Sequence, residues 1–158
     1  MRTDNDVLAT LRWHGVRFAV IGGHAVIFHG YARSTEDIDV VWERSPDAER
    51  ALLAALVELD AQYLGNDVDP ATGLERAHPV GAGFVQANHL MMLLTRCGFV
   101  DLFDYVPGVP DADVTDLLRD SVEVNGVRFA SLAWLRRMKR AANRAKDMAD
   151  LEALGDDP

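Results

Sequence analysis

A single cysteine, Cys97, is all the thiol chemistry this chain of 158 residues contains. One thiol cannot close an internal disulfide, which fits a reducing compartment, and a cytoplasmic location is expected. No nucleophile partner is evident for Cys97, so it reads as a small buried or turn residue. Long apolar runs are also missing, since none approaches the roughly 20 residues of a membrane span. The first stretch, "MRTDNDVLATLRW", has early acids and no apolar h-region, so neither a secretory signal nor membrane attachment is expected. There is no internal repeat and no low-complexity linker, and the length suits one domain. We expect a single unit over residues 1–158, with a core over 16–130 and a C-terminal helical segment over 131–154. Positive charge is scarce. The net charge of −9 opposes binding to polyanions in general. Lysine is scarcest of all: Lys139 and Lys146 are the only two. Both lie in residues 136–146, which hold six of the 16 basic residues.

Hydrophobic residues are plentiful at 49%, enough for a core. Asp4 or Thr3 can cap a first helix with Val7, Leu8, Leu11 and Trp13 on its apolar side and Gly15 as its stop. "RFAVI" has strand length and ends at Gly22-Gly23, from which a short apolar helix, "GHAVIFHG", starts directly. "DIDVVW" is a second strand, rich in β-branched residues. "SPDAERALLAALVELD" is the clearest helix, with Ser45 as cap, Pro46 at the first position and Leu52, Leu53, Leu56 and Leu59 on one side. Turn formers dominate residues 61–83, which read as irregular. "HLMMLLT" and "FVDLFDYV" flank "RCG" as a hairpin, and "VEV" and "VRFA" flank Asn125-Gly126 as another. A short helix is expected around residues 114–119. Ser131 caps a C-terminal helix that Asn143 interrupts before "KDMADLEAL". These elements predict an α/β or α+β domain around one mixed β-sheet flanked by helices.

Alternation along "DIDVVW" puts Asp37 and Asp39 on one face and Ile38 and Val40 on the other. Two carboxylates about 7 Å apart along a strand can converge on one hard cation or bridge two. Alone, the pair could equally cap the strand and lie solvated at a sheet edge. Gly22-Gly23, between strand and helix, lets the backbone approach an anion closely, and a tight turn is the plainer alternative. Arg33, Ser34 and Thr35 add a guanidinium and two hydroxyls suited to phosphate oxygens, or else form an ordinary polar loop. His24 and His29 read as packing or capping residues of the short helix.

Gly22-Gly23, His29-Gly30, Arg33, Thr35 and Asp37-Ile38-Asp39 together resemble the signature of the polymerase-beta-like nucleotidyltransferase superfamily. The variant is similar to small bacterial members related to the abortive-infection type IV toxins. "GFVDLFDYVPG" and "SLAWLRRMKRAANRAKDMADLEAL" extend the resemblance, which covers roughly residues 16–42 and 98–154. It departs at Gly23, where many members of the superfamily carry serine.

The resemblance implies a nucleotidyltransferase-like fold and a Mg²⁺-dependent enzyme that moves a nucleoside monophosphate from an NTP to an acceptor. Two Mg²⁺ ions are implied, with Mn²⁺ as a substitute. Asp37 and Asp39 would bind metal, with Asp101 as the third metal-binding and catalytic carboxylate. Asp104 is its rival, on the opposite face of the same strand. Gly22 and Gly23 would cradle the triphosphate beside Arg33, Ser34 and Thr35. Lys139 would neutralise phosphate charge, and Lys146, Asp147 and Asp150 would lie near the nucleotide. The plainer alternative makes Lys139 a solvated base and pairs Asp147 and Asp150 with Arg144 and Lys146 at helical spacing. The acceptor stays open among an RNA 3′ end, a protein hydroxyl and a small molecule. A cognate partner protein in a toxin–antitoxin pair, or a homodimer, is compatible with the same core. The functional alternative is a catalytically silent nucleotide-binding module.

Overall fold

The computed structural model describes residues 4–31 and 34–155. Thr3 and Arg33 therefore lie outside the described residues. The elements run α1 (Asp4–Trp13), β1 (Phe18–Ile21), α2 (Gly22–Phe28), β2 (Asp37–Trp42), α3 (Pro46–Glu58), β3 (Gln62–Val68), β4 (Glu75–Pro79) and α4 (Ala82–Ala87). They continue as β5 (Leu90–Thr95), β6 (Gly98–Phe103), α5 (Val114–Arg119), β7 (Val122–Val124), β8 (Val127–Phe129), α6 (Leu132–Ala142) and α7 (Ala145–Leu154). The eight strands form one sheet in the order β4-β3-β5-β6-β2-β1-β8-β7. It is mixed: β2 with β6 and β1 with β8 are parallel, whereas the other neighbours are antiparallel. A mixed sheet flanked by helices, with two helices at the C-terminal end, is the predicted fold class.

Local chemistry explains most boundaries. Ser45 Oγ accepts a hydrogen bond from the Ala48 amide at 3.0 Å, and Pro46 opens α3. Leu52, Leu56 and Leu59 of this region are buried in the core. Asp113 caps α5 through the Thr115 amide at 2.9 Å, and Ser131 caps α6 through the Trp134 amide at 3.3 Å. Asn143 takes the left-handed conformation at φ 50°, which ends α6 and turns the chain into α7. Cys97 is buried in the β5–β6 turn, where its amide donates to Thr95 Oγ1 at 3.0 Å.

Two expectations are corrected. Residues 61–83 are not irregular: they form the β3–β4 hairpin at the sheet edge and the start of α4. The strand signal was weak because edge strands with one solvated face need little apolar alternation, and their backbone pairing does the ordering. Asp69 closes the hairpin turn, its carbonyl accepting from the Gly73 amide at 2.8 Å and its carboxylate from the Ala71 amide at 2.9 Å. Trp13 also departs from prediction, being 83% exposed while Val7, Leu8 and Leu11 are buried. It lies two residues past Leu11, about 200° further round the helix, on the opposite side.

Candidate functional site

Ile38 and Val40 point into the core and are fully buried, which turns Asp37 and Asp39 to the other face of β2. Parallel pairing of β2 with β6 sets Asp39 beside Asp101 and Asp37 beside Phe99. Asp39 and Asp101 crowd against each other closely enough for each to alter the other's ionisation. Burial, then the charge and hydrogen bond of Asp101, then Asp37, push the Asp39 carboxyl up to about 7, against a smaller opposing pull from Lys146. Asp101 is also raised, chiefly by burial and also by Asp37, with the Asp39 hydrogen bond and Lys146 working against the rise. Both carboxyls are therefore harder to ionise than usual, a crowding that a cation entering between them would relieve.

Facing the carboxylates, Gly22 adopts φ +66°, and a Cβ there would collide with the Asp39 carboxylate. A Cβ on Gly23 would lie 2.7 Å from Thr35 Oγ1. Both glycines are thus required by close approach of α2 to the β2 region. Thr35 donates to the Asp37 carbonyl at 3.3 Å, holding the turn that enters β2.

The opposite wall comes from α6 and α7. Lys139 is buried, and its Nζ meets Asp150 Oδ2 at 2.7 Å and Asp147 Oδ1 at 3.5 Å. Asp147 also accepts from Arg144 Nε at 2.6 Å and from the Arg144 amide at 3.1 Å. Burial alone would raise the Asp147 carboxyl, but the Arg144 hydrogen bonds and charge, aided by Lys139, hold it below the usual carboxylate range. Arg144 is raised by that same hydrogen bond and, more weakly, by the field of Asp39 across the cleft. Lys146 is exposed, lines the cavity and draws down both Asp39 and Asp101.

Between these walls lies a cavity of about 790 Å³ lined by Gly22, Gly23, Ser34, Thr35, Asp37, Asp39, Asp101, Lys139, Lys146 and Asp147. Residues far apart in sequence are therefore gathered around one space. Asp150 sits beneath it, buried against Lys139. Asp104 is elsewhere, tied to Arg44 Nε at 2.7 Å and to His89 Nδ1 at 2.8 Å. Of the ion pairs weighed from helical spacing, Arg144–Asp147 forms, while Lys139 takes the place beside Asp150. His29 closes α2 with its Nε2 in hydrogen-bond contact with the Ala130 carbonyl at 2.8 Å, and neither His24 nor His29 lines the cavity.

The chain matches no family model and no curated protein. Solved structures resemble it only distantly, two of them from Helicobacter pylori. The JHP933 protein of Helicobacter pylori is 14% identical with a TM-score of 0.46, over 95% of this chain and 63% of that one. A presumed nucleotidyltransferase from H. pylori is 14% identical with a TM-score of 0.44, over 95% of this chain and 65% of that one. This chain thus spans slightly under two thirds of the length of either. Likeness of that degree says nothing of activity, so the side chains must carry the functional reading.

Several lining residues carry no chemistry that marks them in the sequence. Glu36, Phe103, Pro107, Gly108, Leu135, Met138 and Ala142 also face the cavity. Phe103 lies two residues past Asp101 on the face that alternation along this strand assigns to Phe99, Asp101 and Phe103. Gly108 had no such signal: it has φ +79°, and a Cβ there would lie 2.9 Å from the Ala141 side chain, so it lets the loop after β6 close onto α6. Among the described residues, no three His, Cys, Asp or Glu side chains stand as a ready metal site. The adjacent Asp39–Asp101 pair, with Asp37 on the same face of β2, nevertheless suits a hard cation that draws its remaining ligands from water and phosphate.

Proposed function

We propose that this chain is a nucleotidyltransferase that moves a nucleoside monophosphate from an NTP to an acceptor hydroxyl and releases pyrophosphate. The observation that carries this reading is the placement of Asp39 and Asp101, crowded side by side, across a cleft from Lys146 and Arg144. Excess negative charge on one wall and cations on the other suit a metal–triphosphate complex bound between them.

Asp37, Asp39 and Asp101 would hold Mg²⁺, or Mn²⁺ in its place. Bound there, the metal would neutralise charge on the phosphates and sharpen the attacking oxygen. The Gly22-Gly23 backbone would lie against the phosphates, with the Ser34 and Thr35 hydroxyls donating to their oxygens. Lys146 would offset the charge on the departing pyrophosphate, and Lys139 would do so after loosening from Asp150. The acceptor oxygen forms a bond to the α-phosphorus as the bond from that phosphorus to the bridging oxygen breaks. The acceptor's proton would pass to Asp101, whose carboxyl is made more basic than usual by burial and the charge of Asp37. Positioning and charge neutralisation supply most of the acceleration in such chemistry.

Each labelled NTP, incubated with Mg²⁺ or Mn²⁺ and cell extract, tests the reading through pyrophosphate release and transfer of label. Wild type is expected to release pyrophosphate, and Asp39→Asn to lose at least about 100-fold, the scale of a lost charge-stabilising contact. Equal release by the two proteins would end the proposal. Calorimetric binding of ATP with Mg²⁺ but no release would leave the silent module in its place.

A further inference from the structure

Beside the carboxylates the sheet has a bare apolar face. On β5, Met91 and Leu93 are buried, so Leu90, Met92 and Leu94 point the other way. Leu94 pairs with Phe99 on β6 and with Gln62 on β3, which extends this face to Phe99 and, by alternation, to Leu64. Met92 is 66% exposed, Leu64 65% and Phe99 52%. Over β3 the packed helix lies on the opposite side, where Tyr63 stacks on Phe84 of α4 with ring centroids 4.2 Å apart. The five apolar side chains expose on the order of 500 Å², at the upper end of what a lone soluble chain presents as one patch. Neither they nor the neighbouring Gln62 and Asn66 carry charge, although the chain has 25 acidic residues.

We propose that a second copy of this chain covers this face, packed sheet against sheet about a two-fold axis near Leu64 and Leu94. A standard interface takes about 800 Å² from each partner, and these five side chains supply more than half of it, with Gln62 and Asn66 beside them. Flat apolar sheet faces pack well on one another, and a two-fold contact pairs like with like without needing complementary charges. Two chains of net charge −9 repel, so they can meet closely only where charge is missing. Acids begin at one margin of the face, where Asp101 pairs with Met92 and Asp37 with Phe99. An axis near Leu64 and Leu94 keeps the two acidic clusters at opposite ends. The partner copy then walls each cleft on its β5 side.

The proposal does not depend on nucleotidyl transfer, and its test needs no nucleotide. Sedimentation velocity over about 1 to 100 µM, the range of moderate self-association, is expected to show twice the 17.4 kDa chain mass. Met92→Asp combined with Leu94→Asp is expected to sediment as a single chain with an unchanged circular dichroism spectrum. Trp13→Ala, at the exposed site on α1, is expected to leave the dimer intact. Wild type that stays monomeric throughout overturns the proposal, including a monomer that associates with lipid vesicles instead. A dimer that survives the double substitution, or that only Trp13→Ala dissociates, overturns it equally. Should the double variant misfold, Leu64→Lys alone is expected to weaken dimerisation at least about tenfold, since one buried lysine costs that much. An unchanged dissociation constant then overturns the proposal.

Discussion

Asp39 on β2 and Asp101 on β6 stand directly opposite in parallel register, close enough to raise Asp39 well above the usual carboxylate range. A core built for stability alone would not place two acids there.

Removing the negative charge at Asp39 should therefore stabilise the fold. With its carboxyl raised from 3.8 to about 7, the folded state holds a proton that the unfolded state has released between those values. Folding stability thus falls as pH climbs from about 4 through about 7. Asp39→Asn, which cannot ionise, escapes this loss. Its melting temperature should match or slightly exceed wild type at pH 5 and exceed it clearly at pH 8, by an effect on the order of 2 kcal/mol. Thermal melts at the two pH values check this, and a lower melting temperature for Asp39→Asn at pH 8 refutes it.

The Lys139–Asp150 pair should behave in the opposite way. Both side chains are almost wholly buried at 2.7 Å, so Asp150→Ala strands the ammonium with only the longer Asp147 contact. We expect a loss of about 3 kcal/mol, in the range for breaking one half of a buried ion pair. Lys139→Met combined with Asp150→Leu should recover part of it. Urea denaturation of the single and double variants measures the difference.

Gly22 and Gly15 both have positive φ, at +66° and +82°, but only Gly22 has a neighbour in the way. Gly15→Ala should cost just the backbone strain of about 1–2 kcal/mol. Gly22→Ala must in addition push Asp39 aside. It should lose pyrophosphate release at least tenfold, a shift of about 1.4 kcal/mol in the barrier, whereas Gly15→Ala keeps it. Comparable activity in the two variants would show that the close approach does not matter.

Asp101 and Asp104 are three residues apart yet serve different ends. Asp104 is held by Arg44 and His89 away from the cavity. Asp104→Asn should lower stability by about 2 kcal/mol with little change in turnover, since it weakens a largely buried charged hydrogen bond. Asp101→Asn should do the reverse. Paired denaturation and pyrophosphate assays separate the two roles.

Elements whose cause is local were legible in the chain. Ser45-Pro46, Asn125-Gly126, Ser131 and Asn143 each act through their own backbone and a few neighbours, and the expected element boundaries followed. The facing of Asp37 and Asp39 also needed nothing beyond strand alternation. The β3–β4 hairpin escaped notice because its order comes from pairing along a solvated edge, which leaves little apolar pattern. Trp13 was misplaced because apolar character was given more weight than helical phase.

What the sequence determined by itself is therefore the set of elements and the chemical types available to a site. Only tertiary structure decided which acids meet. The parallel register of β2 with β6 brought Asp39 to Asp101, and Arg44 drew Asp104 away, through contacts more than 40 residues apart in the chain. The same holds for Lys139, whose buried partners on α7 depend on how the turn at Asn143 folds one helix back on the other. Local rules act within a few residues, whereas register and burial are settled by packing across the whole sheet.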